Sequence, residues 1–233
     1  MAGRRRAFEF FLRATRRVIA REHGEAYADA VLADARGEYE RVRPEVPGIG
    51  GRANVFQPVM TVNGWIVALH RALRRRGHGP EKVIAVSHEV FDAWIRRLPH
   101  ALRHGLGRLL LSGPALRYFE SQARRSQERR HAEDFVWHVE KGADGEMAMV
   151  FEECAVNKWY DAQDVRELRP FCNFADVTYS RLMGMGIDAS KTIGLGCEHC
   201  ELRFKRGRET VVPASLRGII AAEGDPAATT RSA

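Results

Sequence analysis

The segments Asp134-Phe135-Val136-Trp137-His138-Val139-Glu140, Lys141-Gly142-Ala143-Asp144-Gly145 and Met147-Ala148-Met149-Val150-Phe151 run in succession along the chain. The first and third are rich in aromatic and β-branched or other apolar residues. The middle one supplies the glycines and aspartate of a turn, so the three together predict a β-hairpin. Downstream, residues 155–161 and 165–183 read as two helical segments. Gly184 and Gly186 then lead to a second β pair, residues 190–195 and 199–205. The second half therefore has the order ββααββ.

Upstream of the hairpin the texture is helical. Phe8, Phe11, Leu12, Val18 and Ile19 form one stripe, and Tyr27, Val31, Leu32, Ala35 and Tyr39 form the next. Pro44, Pro47 and the glycines at 48, 50 and 51 end that pair in a loop. Helices are expected again over residues 62–76, from Pro80 through Trp94, and over 101–130 with a break at Ser112-Gly113-Pro114. The expected fold is α+β, a helical N-terminal half packed on a four-stranded antiparallel sheet. Residues 1–222 are read as one domain, with a helical part (1–130) and a sheet-containing part (131–210). Residues 223–233 are small and polar and read as a disordered tail.

No apolar stretch reaches the roughly 18–20 residues of a membrane helix. The N-terminal run is interrupted by Glu9, Arg13, Arg16 and Arg17, which makes it an amphipathic helix rather than a signal peptide; the chain is expected to be cytoplasmic. Residues 1–130 hold 25 basic and 13 acidic groups (+12), and residues 131–233 hold 12 and 17 (−5). Thirty-two of the 37 basic residues are Arg, interspersed with Glu and Asp. Without stacking aromatics or a helix-turn-helix pattern, this charge describes a solvated helical surface, and nucleic-acid binding rests on charge alone.

All four cysteines, Cys154, Cys172, Cys197 and Cys200, lie in the second half, spaced by 18, 25 and 3 residues. A cytoplasmic chain has no use for structural disulfides, which leaves burial, catalysis or metal binding. One C-x-x-C makes one metal knuckle where a structural zinc site pairs two. A zinc or iron–sulfur site on the four cysteines is thus the alternative reading, a non-catalytic module that binds metal or a small ligand. No resident cofactor is expected. His70 and His88, on apolar helix faces, read as core histidines.

Three blocks carry a resemblance: Met149-Val150-Phe151-Glu152-Glu153-Cys154-Ala155-Val156-Asn157-Lys158-Trp159-Tyr160, then Glu167-Leu168-Arg169-Pro170-Phe171-Cys172, then Cys200-Glu201-Leu202-Arg203-Phe204. In order and spacing they resemble the signature of the L-2-amino-thiazoline-4-carboxylic acid hydrolase-like family, strongly over residues 134–206 and weakly into the helix around Ile66–Leu73. The chain departs from that pattern. Asn157 stands for a frequent second cysteine, Glu201 for an aspartate and Leu202 for a phenylalanine. Ala175 occupies an aspartate position, with Asp176 one residue later. The resemblance implies hydrolysis of a small cyclic amidine or thiazoline carboxylate at a C–N bond, with a small carboxylated heterocycle as partner.

Such chemistry needs a nucleophile, a proton donor and a cation for the carboxylate. The expected catalytic residues are Cys172, Asp176, Cys200 and His199. Cys172 is the first choice of nucleophile, because Pro170-Phe171 before it suggests a helical first turn that favours a thiolate. Asp176, four residues on, would share its helix face. Strand alternation sets His199, Glu201 and Arg203 on the face opposite Cys200. Arg203 could clamp a carboxylate there. Cys154, Asn157, Thr192, Glu201, Arg203 and His138 complete the substrate-binding candidates. Cys154, Cys172 and Cys200 are expected to converge.

Overall fold

A computed structural model of the chain describes residues 2–220. The expected tail from residue 223 lies outside the described residues. Six helices come first: α1 (Ala2–His23), α2 (Glu25–Val42), α3 (Gln57–Arg74), α4 (Pro80–Arg96), α5 (His100–Leu110) and α6 (Gly113–Ser126). Proline lies in the first turn of α3, α4 and α6, where its missing N–H costs nothing. Helix α3 begins five residues before the expected Val62, because Pro58 fits its first turn. The expected break at Ser112-Gly113-Pro114 is present, with the Ser112 hydroxyl accepting from the Ala115 N–H.

The hairpin follows as β1 (Val136–Lys141) and β2 (Met147–Glu153), then α7 (Ala155–Ala162), α8 (Phe174–Met183), β3 (Ile187–Lys191) and β4 (Cys200–Phe204). The fold is α+β. All strand pairs are antiparallel, and the sheet order is β1-β2-β4-β3. Strand β4 therefore comes last yet lies between β2 and the edge strand β3.

Two expected elements differ. The span 165–183 is not one helix: a 3-10 helix covers Arg166–Phe171 and α8 starts only at Phe174. Pro170 cannot donate to an α-helical ladder, so the α-helix is delayed past it. The third strand is Ile187–Lys191 rather than 190–195. Gly184, at φ 66°, ends α8 in the left-handed conformation and starts the strand early. Thr192 then accepts the Leu195 N–H at 3.3 Å and curls Ile193–Leu195 into a 3-10 turn.

Alternation gives the sheet one apolar face. Trp137, Met147, Met149, Phe151, Ile187, Ala189, Cys200, Leu202 and Phe204 join a core that runs continuously into the helices. The Trp137 and Phe151 rings stack across β1 and β2 at 5.6 Å, and Phe56, at the start of α3, meets Trp137 edge-on at 5.2 Å. Helix α3 is wrapped by its neighbours: Ile66, Val67, Ala68, Leu69, Ala72 and Leu73 are all fully buried. Each larger aliphatic side chain there contributes about 1.5–3 kcal/mol relative to exposure. Among the described residues, no helix is long and apolar enough to cross a membrane.

Candidate active site

Cys154 is the residue at which β2 becomes α7. It occupies the N-cap of α7 in an extended conformation without a side-chain capping hydrogen bond, near enough to the Asn157 and Val156 amides of the first turn for them to favour its thiolate. Cys172 lies in the joint between the 3-10 helix and α8, and Cys200 opens β4 on the core face. Both place their thiols within hydrogen-bonding reach of Cys154 Sγ. The three sulfurs thus meet, although 46 residues separate the outer two.

The three thiols are not equivalent. Hydrogen bonds from Cys172, then Cys200, together with the Asn157 and Val156 amides, hold the Cys154 thiol well below its usual range and outweigh its burial. Cys172 is pushed up by its hydrogen bond to Cys154, by burial and by the Cys154 charge. Cys200 is pushed up for the same reasons, while the Ile193 N–H, 3.2 Å from its Sγ, acts against the rise. Of the three thiols, Cys154 is therefore the one favoured to carry negative charge. The expected helical first turn for Cys172 is absent: it caps the C-terminal end of the 3-10 helix and precedes the N-cap of α8, and no backbone amide is among the groups that set its thiol.

Asp176, in the first turn of α8, is half-buried beside this charge. Burial, then the Cys154 thiolate, push its carboxyl up to about 7. Asn157 is buried, with neither its amide nitrogen nor its oxygen hydrogen-bonded. It lies three residues past Cys154 and so on the same face of α7. Thr192 is buried and shapes the turn that delivers the Ile193 amide to Cys200.

Gly194, in that turn, is a close-approach position. A Cβ there would lie 2.0 Å from the Arg169 carbonyl oxygen and 3.4 Å from Cys172 Sγ. Sequence reasoning passed over Gly194 and the Ile193 amide, and also Tyr160, which is buried within electrostatic reach of Cys154 and Cys172 and donates to Asn63 Oδ1 on α3. Tyr160 closes the first quoted block, six residues past Cys154, which was its one signal in the sequence.

The remaining candidates are elsewhere. His199 Nε2 lies 2.9 Å from Glu201, and Arg203 Nε donates to Glu201 at 2.6 Å. Lys191 and Glu146 extend the same ion-pair group. His138 bridges Glu152 and Glu140. It pairs with Val150, which pairs with Glu201, so His138 shares the outer face of the sheet. The sheet separates His138, His199, Glu201 and Arg203 from the sulfurs, and they cannot act at one site with them. Cys197 is exposed and lies outside the cluster. Among the described residues, no group of three or more His, Cys, Asp or Glu is arranged to hold a metal ion.

The sequence profile of L-2-amino-thiazoline-4-carboxylic acid hydrolase matches residues 59–204, from α3 to the end of β4. The chain belongs to this family. The match encloses all four cysteines and leaves α1 and α2 outside, so the family's segment includes α3–α6 as well as the sheet and its two covering helices. No curated protein matches the chain. Among solved structures, an H-NOX protein from S. oneidensis aligns at 10% identity and a TM-score of 0.37, over 84% of this chain and 93% of that one. At that distance the likeness carries no argument.

Proposed function

We propose that the protein opens a small cyclic amidine or thiazoline carboxylate at a C–N bond, with Cys154 as the nucleophile. The observation that supports this most is the meeting of Cys172 and Cys200 with Cys154 at the N-terminus of α7, where two thiols and two helix amides favour its ionised form. Such a setting holds a cysteine as thiolate near neutral pH. Family membership supports the reaction class, and the geometry favours Cys154 over Cys172.

In this mechanism the Cys154 thiolate adds to the sp2 ring carbon. The ring C–N bond then breaks, and the nitrogen leaves as an amine with one proton from Asp176, whose carboxyl is pushed up to about 7, and one from the exocyclic amino group, which becomes the imino nitrogen of a thioimidate. Asp176, now a carboxylate, takes a proton from water as the water adds to the thioimidate carbon. The carbon–sulfur bond to Cys154 breaks and the carbamoyl product leaves. Asn157 has a free amide donor and acceptor to orient the substrate's planar nitrogens. Cys172 and Cys200 act as positioning residues that hold the thiolate.

The test is turnover of L-2-amino-thiazoline-4-carboxylate, read by loss of heterocycle absorbance, with folding checked by circular dichroism. Cys154→Ser is expected to abolish ring opening, and Cys172→Ser and Cys200→Ser to slow it. A folded Cys154→Ser protein with full activity would overturn the proposal.

A further inference from the structure

Two extra thiols within hydrogen-bonding reach of the sulfur proposed as nucleophile are more than hydrolysis requires. We propose that the pair Cys154–Cys172 is a reversible oxidation site, converted to a disulfide by hydrogen peroxide or another small hydroperoxide. The inference rests on the reading above in one respect, that a small molecule reaches Cys154. Cys172, Ala175, Asp176, Ile193 and Gly194 are only half-buried, so the cluster lies directly beneath the surface at that point.

The chemistry balances with peroxide as the oxidant. The Cys154 thiolate attacks one peroxide oxygen, the O–O bond breaks, and hydroxide leaves and takes up a proton. Cys154 is then a sulfenic acid. The Cys172 sulfur attacks it, the S–O bond breaks, and a second water departs with the Cys172 proton. Two thiols lose two electrons in all, and one peroxide becomes two waters.

Both neighbours lie within hydrogen-bonding reach of Cys154, and their settings select Cys172. A disulfide needs its sulfurs about 2.05 Å apart, so one sulfur must move inward from hydrogen-bonding distance. Cys200 is held within β4, paired with Phe151, and its Sγ is tied to the Ile193 amide at 3.2 Å. Cys172 sits in a two-residue joint between helices. It faces Gly194, whose missing side chain leaves it room on that side. Cys197, exposed and not among the groups that act on Cys154, serves as an internal reference thiol.

The experiment exposes the full chain to one equivalent of hydrogen peroxide, alkylates the remaining thiols and maps the peptides by mass spectrometry without reduction. The expected product is a Cys154–Cys172 cross-link with Cys197 and Cys200 alkylated, restored to four free thiols by dithiothreitol. A Cys154–Cys200 cross-link, a sulfinic acid at Cys154, or four alkylated cysteines in the wild-type chain would overturn the proposal. In folded Cys172→Ser protein given two or more equivalents of peroxide, Cys154 is expected to advance through sulfenic to sulfinic acid, because its resolving thiol is gone; unmodified Cys154 there would equally contradict it. Peptide mapping uses no substrate, so it distinguishes the two readings. A cross-link in a protein that opens no ring would end the hydrolase reading alone, and ring opening without a cross-link would end this one alone.

Discussion

The two faces of the sheet handle charge in opposite ways. On the outer face Glu201 is surrounded by His199, Arg203 and Lys191, and these partners, His199 first, hold its carboxyl down at about 2. The carboxylate is itself buried, and its partners reach the surface around it. On the inner face the Cys154 charge has no cation among the groups that set it; amides and thiols stabilise it. The nearby Asp176 carboxyl is pushed up to about 7, by burial first and then by Cys154. A compensated ion pair is held in its ground state, whereas a thiolate stabilised only by hydrogen bonds remains nucleophilic. One strand serves both faces, since Cys200 points inward and Glu201 and Arg203 outward.

The comparison breaks most readily by exchanging the two faces' expected importance. Cys154→Ser should lower ring opening by roughly 10³-fold or more, while Arg203→Ala should change it by less than about threefold. Steady-state assays on the two folded variants check this, and a larger loss from Arg203→Ala would reverse the assignment of faces.

Next in size is Gly194→Ala. Its new Cβ would be driven against the Arg169 carbonyl oxygen, a backbone atom 2.0 Å away, and must displace the turn that touches Cys172. The expected cost is about 2–3 kcal/mol in urea unfolding. Unchanged stability would mean that the turn does not press on the inner site.

Asp176→Asn sharpens the electrostatic half of the comparison. A carboxyl raised to about 7 in the fold keeps its proton where the unfolded chain has released it. Its ionisation therefore costs stability as pH rises from about 4 to about 7, and the cost stays constant above that. The variant should be more stable than wild type at pH 8, by on the order of 1 kcal/mol, and little changed at pH 3. It should also lose the alkaline fall in ring-opening rate that deprotonation of Asp176 produces. Thermal unfolding at the two pH values and a pH–rate profile measure both effects.

Glu201→Gln gives the smallest effect. A carboxyl lowered in the fold stabilises above its unfolded value and loses that contribution as pH falls through about 2. The expected loss at pH 7 is under about 1 kcal/mol, with activity within about twofold. A pH-independent loss would show that packing, rather than charge, is the role of Glu201.

Much of this was legible in the chain. The hairpin at 136–153, the ββααββ order and the parity of β4 follow from alternation alone, and parity already set Cys200 apart from His199, Glu201 and Arg203. The preferred nucleophile was not, because proline admits two outcomes. Pro170 can open an α-helix, which would put Cys172 among free amides; here it lies inside a 3-10 turn and Cys172 falls beyond the carbonyl end. Cys154 had the stronger signal, a cysteine at the change from strand period to helix period, where a side chain meets first-turn amides. The contacts of Ile193 and Gly194 with the sulfurs had none, since they depend on the sheet order that brings β4 beside β2.

The central claim is that Cys154 is a thiolate near neutral pH. Thiolate absorbance near 240 nm, titrated in the wild-type chain and in folded Cys154→Ser and Cys172→Ser variants, tests it most directly. One thiolate should ionise well below the ordinary range of about 8.5 in wild type, and this step should be missing from Cys154→Ser. In Cys172→Ser it should persist, since the serine hydroxyl can still donate to Cys154. A low step that survives in Cys154→Ser and vanishes in Cys172→Ser, or no ionisation below about pH 8 in wild type, would contradict the account.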